Sequence, residues 1–228
     1  MSNQPGAARR VGTKGMPRRE RERLILDAAA EEFGRKGYAR GSTAEVAARA
    51  GITKPMIYEY FASKDGLYLT CLERAGTRLV DAVRSAQRGP SDLTRAARTL
   101  EAIFRTLESR VYEWTLVYDT TVPAHGPLHE AAAVHRRELN RLGAIGVGEV
   151  LGLPPAGDPL DADLATHLWY GNVSAAVAWW QHRPEQSAAD MVARFERILA
   201  VLYPGTTDAR ADAPHPPRGA ATRAGGTR

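Results

Sequence analysis

The run GITKPMIYEYF, which begins at Gly51, restricts this chain more than any other stretch. Glycine reaches positive φ at no steric cost, so the backbone can reverse there within about four residues. Thr53 then offers its hydroxyl as an N-cap, and Pro55 falls in a first helical turn. A proline in that turn forfeits no intrahelical bond and arrives with φ already set, so it marks a helix start. Upstream, Ser42 precedes Glu45 by three residues. This is the pattern of a capping box, in which the serine oxygen accepts from the Glu45 amide and the glutamate side chain returns to the Ser42 amide. Two short helices joined through a glycine make a helix-turn-helix. Ile57 and Phe61, four apart, form the inward face of the second helix and leave Lys54, Pro55, Met56, Tyr58, Glu59 and Tyr60 wholly or partly exposed.

The flanking sequence reads as helix throughout. Leu24, Ile25, Ala28, Ala29 and Phe33 recur at spacings of three and four, predicting a helix over 18–36 that stops at Gly37. A long connecting helix runs from Lys64 to about Gln87, carrying Leu67, Cys71, Leu72, Leu79 and Val83. Further helices are expected at 91–109, 111–121, 127–152, 162–182 and 187–202, separated by Pro90, VPAHGP, GLPPAGDP and Pro184. No segment alternates as a strand, so the predicted fold class is all-α. The leader MSNQPGAARRVGTKGMP and the segment from Pro204 onward lack an apolar period and are expected to be disordered. The expected organisation is a basic arm over 1–17, a helix-turn-helix domain over 18–64, a helical effector-binding and dimerisation domain over 65–203, and a tail over 204–228.

Charge divides the chain unevenly. The net charge is +5, and Arg9, Arg10, Lys14, Arg18 and Arg19 stand in the first 19 residues with no acid among them. Residues 20–64 hold eight bases against seven acids, and the remainder is nearly neutral. A basic end on a neutral body points to a polyanion for that end, although a solvated tail has the same charge pattern. No run approaches the roughly 18 apolar residues of a membrane span and no secretory signal follows the leader, so the expected location is the cytoplasm. Cys71 stands alone and has no partner for an internal disulfide. Among Leu67, Leu72 and Ala75 it reads as a small buried hydrophobe, with a redox sensor as the alternative.

Enzyme chemistry finds little support. His125 and His129 are four apart, but Gly126 and Pro127 intervene and no glutamate follows His125 as in a zinc-protease helix. There is neither a phosphate-cradling glycine loop nor a nucleophile elbow, and no cofactor is expected. The C-terminal half is instead rich in aromatics: Tyr112, Trp114 and Tyr118 in one helix, His167, Trp169, Tyr170, Trp179 and Trp180 in another, with Asn172 alongside. Tyr112, Trp114, Tyr118, His167, Tyr170 and Asn172 are the candidate effector contacts, and a packed core leaves the same pattern. Leu164, Leu168, Gly171, Ala175 and Ala178 make a seam of mostly small residues, and Phe195 and Leu202 repeat similarly in the last helix. The seam suits either a two-fold helical interface or packing within one subunit.

The residues ILDAAAEEFGRKGY, STAEVAARAGITKPMIYEYF and SKDGLY resemble the TetR family of bacterial transcriptional regulators, over about a fifth of the chain. The resemblance implies an all-helical homodimer, usually a repressor, that places paired heads in successive major grooves of a palindromic operator and leaves it when a small molecule binds. It further implies that Thr53, Tyr58, Tyr60 and Lys64, with Ser42 or Thr43, touch phosphates, while Lys54, Pro55 and Met56 face base edges. Ala44 departs from relatives with a polar or basic reader there. Tyr58 lies off the inward face and its hydroxyl needs a polar partner, which also favours DNA contact. Glu59 is expected to read a cytosine amino group or to pair with an arginine. An architectural binder without an effector is the competing DNA-binding class.

The arm should follow the backbone or enter a minor groove. Deleting residues 1–16 is expected to weaken operator binding and to lower its salt slope, as read from titrations at two salt concentrations. Unchanged titrations would mark the arm as inert.

Overall fold

The computed structural model describes residues 15–88, 95–151 and 157–202. Among the described residues there are nine helices and no strand: α1 (Arg18–Arg40), α2 (Thr43–Ala50), α3 (Lys54–Phe61), α4 (Lys64–Ala86), α5 (Arg95–Leu107), α6 (Tyr112–Val117), α7 (Pro127–Leu151), α8 (Pro159–Trp180) and α9 (Ala188–Leu202). The head is α1, α2 and α3, closed by the start of α4. Its core joins Ile25, Ala29 and Phe33 to Val46, Ile57, Phe61, Leu67 and Tyr68. From there α4 runs against α7 and α5, while α6 packs on α1 and α9 on α5.

The predicted end of α1 at Gly37 proves to be a break inside a longer element. Gly37 takes φ 73 and ψ 166, and one further turn follows before Gly41. A break in the helical ladder strands the next amides, and stranded amides need partners when they are turned inward. The segment after α6 supplies them. The Asp119 Oδ2 accepts from the Tyr38 amide at 2.7 Å, and Thr121 Oγ1 accepts from the Ala39 amide at 3.2 Å. Asp119, itself buried, also accepts from the Tyr68 hydroxyl at 2.9 Å and the Thr121 amide at 2.7 Å. A Cβ on Gly37 would lie 2.5 Å from Thr121 Oγ1, so both conformation and space demand glycine there.

The expected capping box is half realised. Ser42 Oγ accepts from the Glu45 amide at 3.4 Å, but the Ser42 amide donates to Glu32 Oε1 at 3.2 Å instead of to Glu45. Glu32 is fully buried and already fixed by Lys36 at 2.9 Å and Arg49 at 3.6 Å, so it stands closer at hand than a solvated glutamate. The consequence is an ionic pin between α1 and α2 that no local pattern encodes.

Several boundaries move for identifiable reasons. The helix expected at 162–182 begins at Pro159, because Asp158 Oδ1 accepts from the Leu160 amide at 2.9 Å and the proline fills the first turn, as Pro55 does in α3. The helix expected at 111–121 shrinks to six residues, since Tyr118 leaves helical geometry and Asp119 turns to cap α1. Residues 91–94 of the segment expected at 91–109 lie outside the described residues, as do most of the arm and the tail from 203 onward. Cys71 is buried, with its thiol 3.6 Å from the Leu26 carbonyl, and burial pushes its pKa up to about 12. No described helix is long and apolar enough to cross a membrane.

Asp119→Ala takes the acceptor from the Tyr38 and Thr121 amides and leaves the Tyr68 hydroxyl only the Leu116 carbonyl at 3.3 Å. Urea unfolding should show a loss of about 2–4 kcal/mol. Asp65→Ala removes only an exposed bond to the Tyr38 hydroxyl, and should cost less than about 1 kcal/mol.

Candidate nucleic-acid interface

Gly51 ends α2 in the left-handed region, at φ 68 and ψ 30. The amide of Ile52 returns to the Ala47 carbonyl at 3.0 Å, closing the helix end and turning the chain toward α3. Pro55 then occupies the first turn of α3. Thr53 stands at the N-cap position, yet its hydroxyl makes no cap bond; the Met56 amide is held by the Thr53 carbonyl at 3.1 Å instead. The predicted side-chain cap is therefore absent and the hydroxyl faces outward from an exposed residue. On the core side, Ile57 is 0% and Phe61 8% exposed. On the other side Lys54, Pro55 and Glu59 are exposed, Met56 is half-buried and Tyr58 is 40% exposed. Glu59 forms no ion pair among the described residues, so the expected arginine partner is not found.

Around this face the remaining candidates separate into two groups. Ser42 is half-buried, whereas Thr43 is buried and its Oγ1 lies 3.4 Å from the Tyr58 hydroxyl. Thr43 thus touches Tyr58, which in turn sits 5.9 Å from the Lys54 ammonium. Tyr60 and Lys64 turn back onto the head. Lys64 Nζ lies 4.6 Å from the centre of the Tyr38 ring and donates to the Ala39 carbonyl at 3.4 Å. Tyr60 accepts from Arg21 at 3.3 Å and lies beneath Arg18. Sequence reasoning counted Arg18 only as part of the basic leader and did not single out Arg21; their spacing of three on α1 was the available signal. Arg9, Arg10 and Lys14 lie outside the described residues.

In the C-terminal half, three of the six effector candidates come together. Trp114 stacks on Tyr118 at 4.6 Å, with Tyr170 6.1 Å and 6.3 Å from them. Trp114 donates to Ser174 at 2.9 Å and Tyr170 to the Leu139 carbonyl at 2.8 Å. The Tyr118 hydroxyl is buried without a hydrogen-bond partner among the described residues, and burial raises its pKa. The other three stand elsewhere. Tyr112 packs against Gly34 and Arg35 where α6 meets α1, because a glycine on α1 lets the ring's backbone approach there. His167 is exposed and bonded to the Asp163 carbonyl at 2.9 Å. Asn172 borders an open groove of about 530 Å³ between α8 and α9. Glu113 is buried against Arg78 at 2.7 Å; burial raises its pKa against the pull of Arg78, Arg74 and Arg110.

The candidate seam splits likewise. Leu164 and Leu168 are 59% and 56% exposed, and Gly171 and Ala175 continue the same open face of α8. Phe195 is instead buried against Phe104 and Trp169, since the apolar residues of α9 divide between an inward pair, Met191 and Phe195, and an outward pair, Ile198 and Val201. Leu202 closes α9 outside the described side chains.

A glycine-turned helix pair, with its second helix inward on Ile57 and Phe61 and outward on Lys54, Pro55 and Met56, defines the helix-turn-helix class of DNA-reading heads. The bacterial regulatory proteins of the tetR family match over residues 25–71, which covers α2, α3 and their packing partners in α1 and α4. Residues 25–71 thus match the reading head of the TetR family, on an all-helical chain that shares the fold of solved TetR-like regulators. It is 37% identical over 116 residues, half of this chain and 52% of the relative, to the HTH-type transcriptional activator FasR of Mycolicibacterium smegmatis. It is 31% identical over 97 residues, 42% of this chain and 50% of the relative, to the HTH-type transcriptional repressor Rv3405c of Mycobacterium tuberculosis. The chain thus spans about half the length of the curated relatives it matches. A TetR-like transcriptional regulator from Rhodococcus sp. RHA1 is 28% identical, with a TM-score of 0.59 over 81% of this chain and 98% of its own. The regulator FadR of Bacillus subtilis, solved with stearoyl-CoA, shares the fold at 18% identity and a TM-score of 0.59, over 80% of this chain and 98% of its own.

The caps at either end of α3 make contrasting demands. Ser63 Oγ accepts from the Gly66 amide at 2.9 Å to start α4, so Ser63→Ala should cost about 1 kcal/mol in urea unfolding. Thr53→Ala removes no cap bond, and should stay within about 0.5 kcal/mol of the parent.

Proposed function

We propose that the protein is a sequence-specific DNA-binding transcriptional regulator that acts as a homodimer, occupies a palindromic operator as a repressor, and leaves it when a small-molecule effector binds. The observation that carries this reading is the outward first turn of α3, held clear of the core by Ile57 and Phe61. In the major groove Lys54 would meet guanine acceptors, and Pro55 and Met56 the methyl of thymine. Thr53, Ser42 and Tyr58 would reach phosphates, with Thr43 orienting Tyr58; Arg9, Arg10 and Lys14 would extend the contact along the backbone. Lys64 would exchange its internal carbonyl for a phosphate.

The open face of α8, with Ile198 and Val201 of α9, supports a helical interface between two copies. Pairing multiplies the modest affinity of each head for a half-site. The buried, unpartnered Tyr118 hydroxyl supports an apolar effector that brings one oxygen to it, within the domain over 65–203. A neighbour of the same fold holds stearoyl-CoA, which makes acyl thioesters the first compounds to screen. By linkage, an effector that weakens operator binding is itself bound more weakly on the operator, by the same factor. Repression requires only occupancy of the site. The FasR relative favours a second reading, activation, which needs in addition a surface that engages the transcription machinery. Either role would be carried out in the cytoplasm.

Selection of bound genomic fragments tests the proposal. The parent protein should enrich fragments that share an inverted repeat. The double variant Leu164→Glu with Leu168→Glu should sediment as a monomer and bind the same fragments at least about tenfold more weakly. Enrichment of no common repeat, or a monomeric variant that binds as tightly as the parent, would contradict it.

A further inference from the structure

Tyr60, which the family resemblance puts among the phosphate contacts, is already engaged from within. Its hydroxyl accepts from Arg21 Nη1 at 3.3 Å, and the Arg18 guanidinium carbon lies 4.8 Å from the centre of its ring. Arg21 also donates through Nη2 to the Met16 carbonyl at 3.1 Å, fixing the approach to α1. A guanidinium at that distance over a tyrosine face is held by the ring quadrupole while its N–H edges stay free to donate. Arg18 is exposed, and among the described residues no carboxylate lies within ion-pair distance of it, although Glu20 and Glu22 are close in sequence. Three other cations of the head are committed to carboxylates. Arg35 and Arg49 bind Glu31 at 3.2 Å and 2.6 Å, and Lys36 binds Glu32 at 2.9 Å. Arg18 is therefore a charge without a carboxylate partner, laid along the flank of the reading helix.

We infer that Arg18 is a phosphate-contacting residue beside α3 and that Tyr60 is its positioning residue. The assignment rests on the DNA-binding reading above. The ring limits the rotamers of a long side chain before DNA arrives, so less freedom is lost on contact. The fork of the guanidinium suits two oxygens of one phosphate.

The test uses the full chain and a random-sequence duplex of about 30 base pairs, because non-specific binding reports phosphate contacts without knowledge of the operator. Fluorescence anisotropy at several salt concentrations gives affinity and salt slope for the parent, Arg18→Ala, Tyr60→Phe, Tyr60→Leu and the Arg18→Ala/Tyr60→Leu pair. One phosphate contact is worth a slope of about 0.9 and a dimer carries Arg18 twice, so the affinity lost between roughly 50 and 200 mM salt should shrink about 12-fold in Arg18→Ala. Tyr60→Phe keeps the ring and should keep the parental slope. Tyr60→Leu should weaken binding, and adding it to Arg18→Ala should change nothing further. Arg105→Ala, on α5, should match the parent and so exclude a general effect of lost charge. An unaltered slope in Arg18→Ala overturns the inference, as does a further loss on adding Tyr60→Leu, which would show that the tyrosine meets the phosphate itself. Should Tyr60→Leu fail to fold, the contrast between Arg18→Ala and Tyr60→Phe decides alone. Absence of any salt-dependent binding by the parent overturns the DNA-binding reading as well.

Discussion

The carboxylate of Asp119 holds the molecule together across its functional halves. It collects the Tyr38 amide, the Tyr68 hydroxyl and the Thr121 amide at 2.7–2.9 Å in a buried position. Without it the half-buried Tyr38 amide would lose its acceptor and the buried Tyr68 hydroxyl would keep only the Leu116 carbonyl at 3.3 Å, and a buried group without its partner costs about 1–3 kcal/mol. Because Gly37 breaks α1, the turn that leads into α2 has no continuous helix behind it and is anchored by the segment after α6. The geometry of α2 and α3 therefore depends on a residue far away in sequence, in the half of the chain that carries the aromatic stack.

Two further pins transmit that anchorage to the reading helix. Glu32 fixes the start of α2 through the Ser42 amide, and Arg49 ties the end of α2 back to α1. Hydrophobic burial of Val46, Ile57 and Phe61 then leaves α3 one orientation, with its first turn outward. On the other side of Asp119, Tyr118 is its neighbour in sequence and part of the stack with Trp114 and Tyr170. Movement of that stack has a covalent route of one residue to the cap of α1. This is a physical connection between two sites; its coupling energy is a matter for measurement.

Local chemistry made much of this legible. Gly51, Pro55 and the inward pair of Ile57 and Phe61 express rules that act within a few residues, and the helix-turn-helix follows from them. The long helix from Lys64 ends one residue from its expected end for the same reason. What escaped was non-local. Ser42 exchanges Glu45 for Glu32, Asp119 leaves its helix to cap another, and Tyr60 turns toward Arg21 rather than outward. In each case a polar group found a better partner in a different element, which periodicity along one helix cannot reveal. The aromatic candidates divided similarly: Trp114, Tyr118 and Tyr170 share a cluster, while His167 and Tyr112 lie on other faces because hydrophobic character alone does not fix which neighbour a helix meets.

Amide hydrogen exchange on Asp119→Ala tests the dependence of the reading head on this carboxylate most directly. The structure predicts that amides of α2 and α3 lose protection by more than those of α5 and α7, together with Tyr38 and Ala39. Faster exchange confined to Tyr38 and Thr121, with α2 and α3 as protected as in the parent, would show that the head keeps its shape unaided and would contradict the account.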